Sequence, residues 1–341
     1  MAKWPGLYNS EQFLKLYEPP DYLIDRVLQR GYLYTATGMT GSGKTAVWLR
    51  IAAHLLTGRP IGGAKVKKCK VLYLAGENPT DVQMRWAALA REMDFDAAEM
   101  PIWFSPGAFT LTDWLPSIRD MLGDDLDMGL VVADTAQAFF TGDNENDNKQ
   151  MVDFSDTLRD FTKFKGRPAV VVPSHPGKNT SNILIPRGGG SFLNAVDGNF
   201  THRRKQGEAY SRMHWAGKFR GPPFEEIRFQ LEGVEGPLQD SEGVDLPTVL
   251  ARPISAEEAR KLEAEDRTDA ATVLQALGDF PGHSYRRLAD EIGWYADGGK
   301  TPNKNRVWRA MKKLEADGKI SIDTRQGWKL LSQVETDGGT D

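Results

Sequence analysis

Residues Gly38-Met39-Thr40-Gly41-Ser42-Gly43-Lys44-Thr45 fit the pattern G-x-x-x-x-G-K-[ST] at every fixed position. These types at this spacing suit the binding of a nucleoside triphosphate. Gly41 and Gly43 let backbone N–H groups curl around phosphate oxygens, and a helix opening near Lys44 points its positive end at them. Lys44 is then placed to reach the β- and γ-phosphates, and the Thr45 hydroxyl to ligate Mg²⁺. A chance glycine-rich turn before a helix is the bland alternative.

Three further residues could share that chemistry. Asp134 ends the apolar run Leu130-Val-Val-Ala133 and offers a carboxylate that holds Mg²⁺ through its water shell, unless it only caps the next segment. Glu77 follows Val71-Leu-Tyr-Leu-Ala75 and is able to orient and deprotonate an attacking water, or to cap the helix after Pro79. His175 follows Ala169-Val-Val-Val-Pro173 and is able to sense a γ-phosphate, although a lone histidine is as readily structural. All three sit just past strand-like runs, and in open α/β sheets ligands bind beyond the carboxyl ends of the strands.

The elements that must position these residues are legible in the hydrophobic pattern. Strand-like runs at 32–37, 71–75, 130–133 and 169–173 alternate with helix-like stretches at 44–57, 80–93, 112–122 and 148–165. Strands separated by helices predict an α/β fold with a mainly parallel sheet. Segments 209–216 and 224–231 predict an antiparallel pair at the sheet edge, around Gly217-Lys-Phe-Arg-Gly-Pro-Pro223.

Residues 232–255, rich in Gly, Pro, Asp and Glu, show no sustained period and predict a linker. A charged helix over 255–266 follows, with Ser255 as N-cap and Glu258 completing a capping box. Helices at 268–278, 284–293 and 303–317 and a hairpin over 318–331 outline a winged helix. The expected division is therefore a motor over 1–231, a linker with charged helix over 232–266, a winged-helix unit over 267–332 and a disordered tail over 333–341.

Composition sets outer limits. The 341 residues suit two domains, and 40% hydrophobic with 26% charged residues is ordinary for a globular chain. No apolar stretch is long enough for a transmembrane helix, and the start Met-Ala-Lys-Trp-Pro-Gly lacks a signal-like apolar run. With Cys69 the only cysteine, neither an intrachain disulfide nor a cysteine zinc site is available, and a cytoplasmic setting is expected. The net charge of −4 speaks against nucleic acid only if charge is uniform, and it is not. Residues 202–220 carry six Lys/Arg against one acid, and residues 300–329 carry nine against three. On the helix expected at 303–317, Val307, Ala310, Met311 and Leu314 mark a core face. Lys304, Arg306, Arg309 and Lys313 lie largely off that face, and Asn303 stands where a recognition helix presents side chains to base edges.

Gly-Met-Thr-Gly-Ser-Gly-Lys-Thr, Tyr-Leu-Ala-Gly-Glu-Asn, Val-Val-Ala-Asp-Thr and Pro-Ser-His, in that order, resemble the motifs of RecA-superfamily ATPases over about residues 20–231. The likeness is greatest to the plasmid and phage RepA-type branch of hexameric helicases. It implies Glu77 as catalytic base and His175 as the link between γ-phosphate and a DNA-binding loop. It also implies that Pro176–Gly190, with Lys178 and Arg187, faces single-stranded DNA. Lys218-Phe219-Arg220 looks like the Lys-x-Arg segment with which such rings reach a neighbour's nucleotide. The C-terminal unit resembles winged helix-turn-helix DNA-binding domains, with looser motifs; a protein-contact role is its alternative. The expectation is a DNA-dependent ATPase using ATP and Mg²⁺, assembled as a homo-hexamer, contacting single-stranded DNA at the motor and duplex at the winged helix, with no membrane partner. A P-loop phosphotransferase is one alternative. An ATP-regulated replication-initiation or regulatory protein that unwinds nothing is another. The chain has no primase domain and no helical N-terminal domain, so strand separation is a weaker implication than hydrolysis.

Overall fold

The computed structural model describes residues 6–123, 127–177, 183–205, 208, 210–296, 298–323 and 327–331. Its centre is a nine-stranded sheet. In chain order the strands are β1 Leu33–Gly38, β2 Lys70–Ala75, β3 Ile102–Pro106, β4 Met128–Asp134, β5 Ala169–Ser174, β6 Gly198–Arg203, β7 Tyr210–Phe219, β8 Ile227–Gln239 and β9 Asp245–Ile254. They lie side by side as β9-β8-β7-β6-β1-β5-β4-β2-β3. The six strands from β6 to β3 are parallel, and β7, β8 and β9 add on antiparallel.

Both faces are covered, which is why the inner strands are buried along their length and largely apolar. Val71, Tyr73 and Ala75 point into one core with helices α1 (Lys44–Thr57) and α2 (Pro79–Met93). Leu72 and Leu74, alternating with them, point into the other with α3 (Leu111–Leu122) and α4 (Asn148–Phe161). The strand and helix runs read from the sequence recur within a few residues, and the pattern missed β3 and β6.

The sequence reading of 232–255 as an irregular linker is corrected. These residues complete β8 and form β9, paired from Arg228↔Ile254 to Glu235↔Pro247. The Gly and Pro content reflects an edge strand and a bulge. Pro247 and Pro253 lie on β9, at the sheet edge, where a missing N–H is tolerated. The register shifts between Glu235 and Gln239, where a side chain on Gly236 would come within 2.6 Å of the Leu246 carbonyl. The sheet therefore runs to Ile254 rather than stopping at 231.

The charged helix and the helix expected at 268–278 are one 24-residue helix, α5 (Ala256–Asp279), with the Ser255–Glu258 capping box in place. No glycine or proline interrupts residues 256–277, so nothing breaks it. Its last turns pack with α6 (Tyr285–Glu291), α7 (Lys304–Ala316) and a hairpin of β10 (Ile320–Asp323) and β11 (Gly327–Leu330). This unit has its own core, to which α7 contributes Val307, Ala310, Met311 and Leu314. Trp294 and Trp328 pack against that core, whereas Trp308 is 43% exposed. No helix of the described residues is long and apolar enough to cross a membrane. Lys178 and the tail 333–341 lie outside the described residues.

Candidate active site

The loop between β1 and α1 is shaped by its glycines. A side chain on Gly38 would stand 2.5 Å from Ser42 Oγ and 2.9 Å from His202. Gly41 and Gly43 have φ of +78° and +86°, a region that L side chains rarely adopt. Gly43 is the N-cap of α1, so the loop delivers the helix N-terminus to the cavity. Leu231 of β8 closes on Gly43, leaving 2.8 Å for any added carbon.

Lys44, Thr45, Glu77, Asp134 and His175 come from four loops or strand ends and line one cavity of about 260 Å³, together with Thr40, Gly41, Gly43, Asn78, Asp81, Arg85 and Thr135. Strand order explains the convergence, because β1, β5, β4 and β2 are successive parallel neighbours and their carboxyl ends share one edge. The Asp134 carbonyl accepts the N–H groups of Gly76 (2.8 Å) and Glu77 (3.3 Å), tying the two acids together through the backbone. A side chain at Gly76 would collide with Ala138 and Phe139, both at 2.7 Å.

The capping alternatives weighed for the acids go to their neighbours. Asn78 caps α2, its side chain accepting the Asp81 N–H at 3.1 Å, and Thr135 is the N-cap residue after Asp134. Glu77 is left exposed at the cavity.

Electrostatics follow from burial. Asp134 is buried, which raises its pKa, while hydrogen bonds from Tyr73 and Thr45 pull it back. Tyr73 donates to Oδ2 at 2.7 Å, and Oδ1 is buried with no hydrogen-bond partner. The Lys44 ammonium donates to the carbonyls of Gly38 (2.7 Å) and Met39 (3.3 Å). Burial pushes its pKa down to about 8, against the opposing pull of Asp134 and Glu77. Burial, and then Lys44, lower His175 as well. His202, beneath the loop, is pushed down to about 3 by burial and then Lys44, and accepts the Trp48 indole N–H at 3.1 Å.

These residues fit Mg²⁺ and a triphosphate. The uncoordinated Asp134 Oδ1 and the unpartnered buried Ser42 Oγ both belong to residues of this site. A buried polar atom left without a partner is costly unless a ligand completes it. Thr45 and Asp134 are the residues that would hold the cation.

Sequence reasoning missed Tyr73, Arg85 and His202. Arg85 lines the cavity, its Nε donating to Asp81 Oδ2 at 2.7 Å and Nη1 to the Val249 carbonyl. The i, i+4 spacing of Asp81 and Arg85 just after Glu77 was the available signal. Arg204, one of the cations counted in 202–220, donates to the Gly41 carbonyl at 3.3 Å.

Other expected contacts lie elsewhere. Lys218 and Arg220 are not on a free hairpin tip. Lys218 is within β7 and donates to the Asn194 carbonyl at 2.5 Å, and Arg220 pairs with Asp197 at 3.0 Å. The Gly198↔Phe219 pairing puts both beside the start of β6, at the opposite end of the sheet from the phosphate loop. Arg187 pairs with Glu145 at 2.8 Å, and its backbone N–H donates to the His175 carbonyl, also at 2.8 Å. Asn303 is the N-cap of α7, accepting the Arg306 N–H, so its side-chain oxygen is already engaged. Arg306 grips Asp269 with two 2.7 Å bonds and covers the Trp294 ring. Lys313 pairs with Asp317 at 3.2 Å, whereas Lys304 and Arg309 are exposed.

A mostly parallel sheet with a phosphate loop, a strand-end aspartate and a neighbouring glutamate defines a RecA-like P-loop nucleotide enzyme. Residues 9–181 match the AAA domain family AAA_25, a family of RecA-like P-loop ATPases, and the chain belongs to it. No curated protein matches the chain.

Proposed function

We propose that the protein is a DNA-dependent ATPase working as a ring of identical subunits, with a C-terminal DNA-binding unit. The observation that carries the reading is the meeting of Lys44, Thr45, Glu77, Asp134 and His175 at one cavity. Lys44 and the N-terminus of α1 bind and orient the phosphates. Thr45 and Asp134 would hold Mg²⁺, which would supply charge neutralisation. Glu77, exposed at the cavity, orients water and takes its proton. His175, lining the same cavity, senses the γ-phosphate, and the hydrogen bond from Arg187 N–H to its carbonyl ties Arg187 to it. That tie supports transmission from nucleotide to a DNA-contacting loop.

Lys218 and Arg220 act on a neighbouring subunit. Five residue steps of β1, at about 3.3 Å each, separate them from their own phosphate loop by roughly 16 Å. In the C-terminal unit, exposed Lys304, Arg309 and Trp308 on α7 support a nucleic-acid surface.

Mixing Glu77→Gln subunits with Arg220→Ala subunits tests the assignment. Each alone is expected to be inactive, and mixed rings regain turnover at interfaces that pair an intact Glu77 with an intact Arg220. No recovery in assemblies shown to be mixed would overturn the shared site. Unwinding of forked DNA separates a helicase from an ATP-regulated initiation factor, since both have DNA-stimulated ATPase activity.

A further inference from the structure

The Arg220 side chain is 62% exposed, yet it is held through one guanidinium nitrogen and its backbone. Its Nη1 donates to Asp197 Oδ1 at 3.0 Å, and its backbone N–H donates to the Asp197 carbonyl at 2.8 Å. Asp197 is itself immobilised. Its carboxylate is 4% exposed, and Oδ2 accepts the Leu33 N–H at 3.0 Å and Arg159 Nη1 at 2.9 Å. Its own N–H donates to the Leu33 carbonyl at 2.7 Å, which locks it to the first residue of β1.

One carboxylate therefore connects the base of the phosphate-loop strand to the guanidinium expected to act in trans. A free arginine side chain is long and mobile, and catalysis by a charge depends on its being in place before reaction. Anchoring through one nitrogen leaves the rest of the guanidinium fork to face an anion, which a lysine, with a single charged atom, cannot do. Arg159, Lys218 and Arg220 outnumber the one acid, so the cluster keeps a positive excess toward phosphate.

We infer that Asp197 is a positioning residue for the trans-acting Arg220, holding it at the height from which it meets a neighbouring subunit's nucleotide. The inference rests on the trans reading above. It also makes β1 the common reference for both half-sites, since the phosphate loop leaves one end of this strand and Asp197 binds the other.

The test is a double-mutant cycle in assembled protein, reading kcat, KM and Tm. Arg220→Ala is expected to lower kcat by about a thousandfold, the scale of an arginine finger. Asp197→Asn is expected to lower kcat by about tenfold or more with little change in KM, and to have no effect on kcat in the Arg220→Ala background. Arg220→Lys, at an exposed position, folds whatever becomes of Asp197→Asn, and is expected to lose nearly as much kcat as Arg220→Ala. If Arg220→Ala leaves kcat unchanged, the trans reading itself falls, and this inference with it. If Arg220→Ala is inactive but Asp197→Asn costs the same in both backgrounds, or Arg220→Lys works like wild type, the positioning role is overturned and the finger stands.

Discussion

The Tyr73 hydroxyl donates to Asp134 Oδ2 over 2.7 Å, from a ring buried in the core to an acid at the inner wall of the cavity. It leaves Oδ1 turned to no protein partner, so one oxygen of the acid is held while the other stays available to a metal's water shell. Tyr73, together with Thr45, thus favours the carboxylate form of a buried acid.

Replacing Tyr73 with Phe removes that donor without changing the ring. Burial already raises the Asp134 pKa, and losing the hydrogen bond raises it further. The Mg²⁺ concentration for half-maximal ATPase is expected to rise several-fold, and stability to fall by about 1–3 kcal/mol for an unsatisfied buried acceptor. A Mg²⁺ titration and a denaturant melt check the two effects separately.

Nucleotide affinity should depend on Lys44 protonation. In the free protein its pKa is pushed down to about 8. Phosphate binds the ammonium form, so affinity is flat below about pH 8 and falls about tenfold per unit above it. Titrating a fluorescent ATP analogue between pH 6.5 and about 9.5 measures this, and an affinity unchanged across that range would contradict the assignment. Lys44→Ala is expected to abolish turnover outright.

Glu77→Gln keeps the shape of the cavity and removes the base. Binding of ATP is expected to change little while kcat falls by about 10²–10⁴-fold, the usual range for a general base. Equilibrium binding beside steady-state turnover distinguishes this from a binding defect; a parallel loss in both would reassign Glu77 to nucleotide binding.

Gly76→Ala tests the packing that sets the spacing of the two acids. The added methyl meets Ala138 and Phe139 at 2.7 Å, so either β2 or the turn after β4 must shift. Turnover is expected to drop with a fall in Tm, and overpacking of this kind costs about 1–3 kcal/mol.

In the C-terminal unit, two arginines of one helix should behave differently. Arg306→Ala strips the partner from Asp269, whose side chain is 14% exposed, and is expected to lower the melting temperature. Arg309→Ala, at an exposed position, is expected to leave stability within about 0.5 kcal/mol and to weaken DNA binding with a shallower salt dependence. Fluorescence anisotropy on labelled duplex at several salt concentrations reads the second effect.

The sequence by itself determined the phosphate loop, the strands and helices on either side of it and the two acids. Each of these is local: glycines at fixed offsets, apolar runs of strand length, an acid at the end of such a run. The core face of α7 was equally legible, because a 3.6-residue period needs no knowledge of its partner. Tertiary structure alone decided which polar side chains were already engaged. Asn303 and Arg306 were sorted with Lys304 and Arg309 by charge and spacing, but the first is spent on a helix cap and the second on Asp269, 37 residues away. The same holds for residues 232–254, where Gly and Pro signal a break locally but are accommodated at an edge and a bulge once β8 finds β9. Asp197 showed no sign of importance in the sequence. Its role comes from lying between Leu33, Arg159 and Arg220, which only the sheet brings together. Local pattern specifies what a segment can form, whereas ion pairs and strand edges are settled by partners distant in the chain.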